Sequence, residues 1–189
     1  MKTFWSDVRL KYDGSQLRSQ FADTQFKISG DSIVAWRGAC DVTLEFMVDG
    51  EDREAGAKIC GDDMIHFIVE VSNFNLLGIT ALQRLFAAVA KDVVAALSPE
   101  KSLVVDLRRE GDDLWFGRKK LSVSVATMSS VSAMMHFAVD VTNAGTPVPT
   151  ISLDDFKIDS YEFARVLLER FQREFLGLYS ASEKVSCVK

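Results

Sequence analysis

The phrase MIHFIVEV, Met64 to Val71, returns as MMHFAVDV at Met134 to Val141, and the only two histidines of the chain hold the same place in both copies. Read as β-strands, the copies alternate side chains between faces, so Ile65, Phe67, Val69 and Val71 point one way and His66 and Glu70 the other. The second copy divides in the same manner: Phe137, Val139 and Val141 form an apolar face, and His136 and Asp140 share the opposite one with Met134. Between the copies runs KLSVSVA, Lys120 to Ala126, where Leu121, Val123 and Val125 are the apolar set and Lys120, Ser122 and Ser124 the polar set. Three strands are therefore expected to pool one polar face, and the binding site is expected there.

Outward from the first copy, Ile79, Leu82, Phe86, Val89, Val93 and Ala96 recur at spacings of three and four, which predicts a helix ended by Ser98-Pro99. A strand at Leu103 to Arg108 would then complete a βαβ-like unit. Leu114 to Phe116, a turn at Gly117 and the strand from Leu121 to Ala126 read as a hairpin. Upstream, Phe4 to Leu10 is expected to be a strand, Ser15 to cap a short helix through Leu17 and Phe21, and Ile33 to Trp36 and Val42 to Phe46 to be strands around a bend at Arg37-Gly38-Ala39-Cys40. Val48 to Lys58 reads as a charged loop or edge piece, and Asn143 to Pro149 as a loop. Asp159 and Glu162 open a C-terminal helix with a capping-box-like start, Phe163, Val166, Leu167 and Phe175 give its stripe, and the chain is expected to fray after about residue 180. Strands with one long internal helix and one C-terminal helix favour an α+β fold: a mixed, mostly antiparallel sheet, helices on one face and a polar concave face on the other.

A chain of 189 residues with 48% hydrophobic and 26% charged residues can bury a core without staples, and one domain spanning 1–189 is expected. A net charge of −5 disfavours a nucleic-acid binder held mainly through phosphates. Cys40, Cys60 and Cys187 are odd in number and lack CxxC spacing, and no leader-like or membrane-spanning run is present, so a reducing cytoplasm is the expected location.

On the polar face, Lys120 is suited to bind a phosphate or carboxylate oxygen as a fixed positive charge. Asp112 or Asp113 would hold that ammonium or a magnesium ion, Ser122, Ser124 and Asp140 would contact ligand, and His66 or His136 would carry a proton. A solvated sheet face would alternate in the same way. Zinc bound by His66, His136 and carboxylates lacks the close spacing of known motifs, and no metal ligand is assigned. Cys40 is either a thiolate activated by Arg37 or a histidine, or a small buried hydrophobe. Arg108, Arg109, Arg118, Lys119 and Lys120 form a basic cluster that either attracts an anionic ligand or acidic carrier protein, or is neutralised by Glu110, Asp112 and Asp113.

YDGSQL at Tyr12 to Leu17, GDSIVAWRG at Gly30 to Gly38, HFIVE at His66 to Glu70, and RREGDDL with KLSVSVAT resemble the uncharacterised family called domain of unknown function 366, over most of the chain. More distantly, the order Asp112-Asp113, Leu114 to Arg118, then Lys120-Leu121-Ser122 resembles the catalytic domain of biotin and lipoate protein ligases and octanoyltransferases. Those enzymes carry an Asn-Asp pair, a short hairpin and a lysine followed by a strand. The likeness implies that Lys120 contacts an acyl carbonyl and an adenylate phosphate, that Asp113 is its acidic partner or a magnesium site, and that ATP with magnesium is the cofactor. The chain departs from the pattern at Asp112, which replaces the asparagine, at Val123, where a glycine is usual, and in lacking a clear equivalent of the glycine-rich arginine loop, for which Arg37-Gly38 is a thin substitute. The expectation is an acyl- or cofactor-transferase or ligase for a small carboxylic acid or its activated ester, with an acidic carrier protein or a second copy of the chain as partner. A non-catalytic ligand-binding or interaction module and a metal-dependent hydrolase are the alternatives.

Overall fold

In the computed structural model, residues 1–186 and 188 are described, and they form eight strands in two sheets. The strands are β1 (Lys2–Ser6), β2 (Ser32–Asp41), β3 (Cys60–Val71), β4 (Leu107–Glu110), β5 (Asp113–Phe116), β6 (Lys119–Lys120), β7 (Ser122–Met128) and β8 (Ala133–Asp140). The larger sheet has the order β1-β2-β3-β8-β7, with β1 parallel to β2 and every other pair antiparallel. The smaller one is β4-β5-β6. The helices are α1 (Phe21–Phe26), α2 (Gly50–Ala55), α3 (Leu76–Leu97), α4 (Lys101–Asp106) and α5 (Ser160–Glu183). The fold is α+β with a mixed, mostly antiparallel sheet.

The two histidine phrases are β3 and β8, paired antiparallel with Phe67 opposite Phe137, so the repeated octapeptides are related by a local two-fold about that pair. Phe67 and Phe137 point to the face covered by α3 and α5. Phe86 of α3 meets Phe137 at 4.9 Å and Phe171 of α5 at 4.7 Å, in tilted and edge-on geometries that aromatic quadrupoles favour. Asn75 caps α3 by accepting from Gly78 N–H, and Asp159 caps α5 by accepting from Glu162 N–H.

The opposite face is not an open polar surface. Tyr12, Phe21, Val34, Trp36, Met64, Ile68 and Ala138 pack there as a second core, and His66, Glu70, His136 and Asp140 are enclosed with them. Residues 7–31, including α1, fold back over this side, and Trp36 Nε1–H donates to the Leu10 carbonyl at 3.0 Å.

Several local expectations are corrected. β1 ends at Ser6, and Ser15 caps no helix but turns onto its neighbour, its hydroxyl donating to Asp13 at 2.6 Å. The bend at Arg37 to Cys40 is a bulge inside one continuous β2, where a Cβ on Gly38 would collide with the Leu10 carbonyl; Leu44–Phe46 is a single 3-10 turn. The stretch read as a loop contains α2, capped by Asp49 and closed by Gly56 at φ 59°. Leu103 to Arg108 is divided between α4 and β4, which joins the smaller sheet, so no βαβ unit forms within one sheet. α5 runs to Glu183, past the expected start of the tail, and Cys187 lies outside the described residues. Among the described residues no helix is long and apolar enough to cross a membrane.

Candidate functional site

The hairpin around Gly117 places Lys120. Trp115 pairs with Lys120 across β5 and β6, and Gly117 supplies the positive φ of 59° that the reversal needs. Lys120 Nζ lies 2.9 Å from Asp113 Oδ2 and 5.1 Å from the centre of the Trp115 ring, so a carboxylate and an aromatic face hold the ammonium. Burial pushes the Asp113 carboxyl up against the pull of Lys120.

Two cavities meet at this lysine. The first, of about 300 Å³, lies between Tyr12, Phe46, Met47, Val123, Val125 and His136 and carries Asp49, Glu51, Asp52, Asp112 and Asp113 in its wall. The second, of about 220 Å³, is bounded by Cys40, Ile59, Met64, Val123, Pro147 and Val148, with Asp140 in its wall. Asp52, Ile59, Lys120 and Val123 belong to both. The side chains of α2 are mostly exposed, and with Asp49 this helix forms an acidic rim over the first cavity.

The phase of β7 differs from its sequence reading. Ser122 stands opposite Val139 and Ser124 opposite Phe137, so both serines turn toward the helices, while Val123 and Val125 share the histidine face with Ala138 and His136. Leu121, fully buried between β6 and β7, shifts the alternation after Lys120. Ser122 Oγ accepts from Leu114 N–H at 3.0 Å, a structural bond. Ser124 Oγ donates to Asp112 Oδ2 at 2.6 Å, and Gln83 of α3 donates to both residues, which fixes Asp112 at the edge of the first cavity. Gln83 is a site-supporting residue the sequence reading missed, since a single glutamine inside an apolar stripe carries no motif.

Arg37 is not in this site. It points to the helix side, where Nε and Nη2 donate to Asp63 at 2.8 and 2.6 Å and Nη1 to Ser160 at 2.8 Å, tying β2 and β3 to the start of α5. Nor is Cys40 an activated thiol: burial pushes it up to about 12, and its Sγ lies against the Ile59 carbonyl. Of the basic cluster, Arg108 pairs with Glu110 at 3.0 Å, while Arg118 and Lys119 are exposed beside the hairpin turn.

The histidines lie beneath Tyr12, whose ring stacks on His136 at 3.7 Å and 7°. His66 Nε2 is 3.2 Å from the Gly38 carbonyl, which only accepts, so that nitrogen carries the proton. His66 Nδ1 is then an acceptor, and His136 Nε2–H donates to it at 3.1 Å. Burial lowers His66 to about 4 and His136 well below the ordinary histidine value. His66 uses both ring nitrogens inside the core; His136 reaches the cavity wall.

The arrangement is the fold of biotin and lipoate protein ligase catalytic domains. Biotin protein ligase from Aquifex aeolicus in complex with biotin and ATP superposes with a TM-score of 0.58 at 11% identity, over 91% of this chain and 69% of the ligase. The T. acidophilum protein Ta0514 with bound lipoic acid gives 0.57 at 15%, over 94% and 86% of the two chains. The chain belongs to the family described as Domain of unknown function (DUF366), whose model matches residues 1–186. A protein of unknown function from Pyrococcus horikoshi is 34% identical with a TM-score of 0.93, covering 100% of this chain and 99% of its own. The uncharacterized protein MJ0805 of Methanocaldococcus jannaschii is 38% identical over 158 residues, 79% of this chain and 68% of the relative.

A nucleoside triphosphate does not suit these residues. In the first cavity five carboxylates, Asp49, Glu51, Asp52, Asp112 and Asp113, face one cation, Lys120. Arg37 is bound to Asp63 on the other side of the sheet and offers no charge to this cavity. Asp112 and Asp113 each present an oxygen already engaged, by Ser124 and Gln83 or by Lys120, and the described residues contain no cluster of three or more His, Cys, Asp or Glu able to hold a metal ion.

Proposed function

We propose that the cavities flanking Lys120 hold a small carboxylic acid or its activated ester, with the carboxyl carbon at the ammonium, and that the protein transfers that acyl group. The observation that carries this reading is the position of Lys120 at the junction of the two cavities, pinned between Asp113 and Trp115 with an apolar wall at Val123. A fixed ammonium in a partly dry site stabilises the negative charge that grows on a carbonyl oxygen when a nucleophile adds to the acyl carbon. Pre-placement matters because no reorganisation is then needed as the charge develops. The ligand enters already activated on this reading, since the acidic wall opposes a polyphosphate. An acidic carrier protein, if it is the acceptor, approaches along the hairpin past Arg118 and Lys119, away from the α2 rim.

A second reading, a ligand-binding module without turnover, is favoured by one observation: the histidines hold each other neutral, and His66 has no free nitrogen. Both readings place the ligand at Lys120 and differ only in whether an acyl group is passed on.

The experiment is a thermal-shift and calorimetric titration of wild type and Lys120→Ala with biotin, lipoate, octanoate and their non-hydrolysable adenylate analogues. Ligand at about 100-fold excess over Kd adds about 2.7 kcal/mol, or a shift on the order of 5–10 °C. A shift that disappears in Lys120→Ala supports the site, and acyl transfer from the preformed adenylate to a carrier lysine then separates enzyme from module. Equal binding by both proteins, or none by wild type, refutes it.

A further inference from the structure

We infer that the first cavity binds an aliphatic di- or polyamine, with ammonium groups at the carboxylates of the rim and one nitrogen at the buried wall, held by His136 Nδ1 and Tyr12 Oη. The site goes beyond the acyl reading and does not depend on it. Tyr12 and His136 are 2% and 3% exposed, and both stand in the wall of this cavity. The proton order of the histidine pair fixes what His136 offers: Nε2–H is spent on His66 Nδ1, so Nδ1 keeps its lone pair. Neither that nitrogen nor Tyr12 Oη has a hydrogen-bond partner among the described residues. Neither is sealed, since the fully enclosed unpaired side-chain atoms among those residues are Ser32 Oγ and Asp140 Oδ1. Buried polar atoms are nearly always paired, so two acceptors of nearly buried side chains that open on this cavity call for a donor from outside the chain.

Charge and spacing select the ligand. Of the five carboxylates in the wall, Asp113 is matched by Lys120 at 2.9 Å, which leaves Asp49, Glu51, Asp52 and Asp112 in no ion pair among the described residues. Asp112 is held only by the neutral donors Ser124 and Gln83, and Asp49 by backbone N–H groups of α2. A cation is therefore favoured in this space, where charge is screened less than in open water. One metal ion does not satisfy the set, because among the described residues no three of His, Cys, Asp or Glu gather closely enough to hold it. The carboxylates instead line a cavity of about 300 Å³, in the range of small-molecule sites, whose wall also carries Phe46, Met47, Val123 and Val125. Separated positive charges on a methylene chain match that mixed wall: ammonium groups meet carboxylates, and methylenes cover the apolar side chains.

The test is isothermal titration of the full chain with spermidine, putrescine, butylamine and magnesium ion, at about 0.15 M salt so that loose surface attraction is screened. Wild type should bind spermidine more tightly than putrescine and about tenfold or more above butylamine, the worth of one added charged hydrogen bond. Magnesium at equal ionic strength should not displace the amine. Glu51→Gln with Asp52→Asn removes two rim charges and should weaken spermidine by about tenfold. Glu45→Gln with Glu54→Gln makes the same change of charge outside the cavity wall and should leave the affinity as it was. Tyr12→Phe keeps the ring on His136, loses the hydroxyl and should weaken spermidine by about five- to tenfold. Lys120→Ala, which abolishes acid binding under the proposed function, should hold spermidine at least as tightly, so the two readings fail separately. The inference is overturned by no spermidine binding to wild type, by equal loss in the two double variants, or by displacement with magnesium. Butylamine bound as tightly as spermidine, unchanged binding in Tyr12→Phe, or loss of spermidine in Lys120→Ala overturns it as well. If Tyr12→Phe does not fold, the two double variants still decide, because they alter only side chains on exposed turns.

Discussion

His66 and His136 join their rings by a hydrogen bond of 3.1 Å from Nε2 of His136 to Nδ1 of His66, and the chain of donors ends on the Gly38 carbonyl. Each ring is neutral in this arrangement, because burial disfavours the charged imidazolium. The folded protein keeps His66 neutral down to about pH 4, whereas in the unfolded chain histidine titrates at its ordinary value of 6.5. Between those values the unfolded state binds more protons, so stability is full above the unfolded value and is lost as pH falls. For His66 alone the loss is roughly 3 kcal/mol over the window. Urea unfolding at about pH 7, 6, 5 and 4 should show a falling midpoint, and replacing both histidines with glutamine should flatten it.

Asp140 works in the opposite direction. Its folded value is raised to about 7 from 3.8, so the native state holds a proton that the unfolded chain gives up, and this contribution is present below 3.8 and lost as pH rises through 7. Asp140→Asn keeps the shape and removes the charge. At about pH 8 the variant should be more stable than wild type by on the order of 2–4 kcal/mol, with the gain gone near pH 3.5. Its acid limb should also be steeper, because the histidine effect is no longer offset. A variant destabilised at pH 8 would mean that Asp140 has a native partner after all.

The acidic rim depends on a helix with almost no core of its own. None of the residues of α2 is buried, and Asp49 Oδ1 accepting from Glu51 and Asp52 N–H at 2.9 and 3.1 Å holds its first turn. Asp49→Ala should cost about 1 kcal/mol locally. Hydrogen exchange should then rise across residues 50–55 while β3 and β8 stay protected, and global stability should barely move.

Phe137 sits at the centre of the local two-fold, opposite Phe67 and 4.9 Å from Phe86, fully buried. Phe137→Ala should lower global stability by about 3–5 kcal/mol, read as a shift in urea midpoint with an unchanged slope. Val125→Ala, on the other face beside the first cavity and only partly buried, should cost far less and enlarge that cavity.

Much of the architecture was legible because it is written in periodicity. The alternation of Met64 to Val71 and Met134 to Val141 marks two strands, the three-four spacing from Ile79 to Ala96 marks α3, and Asp159 with Glu162 marks the start of α5. The reversal at Gly117 could also be read, but its returning strand is Lys119–Lys120 in the smaller sheet, whereas the apolar run read as that strand is β7 of the larger one, a division that no local spacing marks. α2 was missed although Asp49 and Gly56 signal both of its ends, because a helix that buries no stripe has no hydrophobic period to detect. The bulge in β2 was read as a bend because Gly38 is indistinguishable in sequence from a turn glycine until the Leu10 carbonyl is seen against it.

The residues by themselves determined an α+β chain, two matched histidine strands and a lysine delivered by a hairpin, all consequences of local spacing. Tertiary structure alone decided which polar groups face a ligand. It put residues 7–31 over the histidine face, turned Ser122 and Ser124 toward the helices through one irregular residue at Leu121, and drew Arg37 to Asp63 on the far side. Alternation gives two faces but not what covers each, and a shift of one residue exchanges them. Burial then sorted the polar set: the histidines satisfied each other, Lys120 was held open to two cavities, and Asp140 was left without a partner, an outcome set by contacts between segments far apart in the chain.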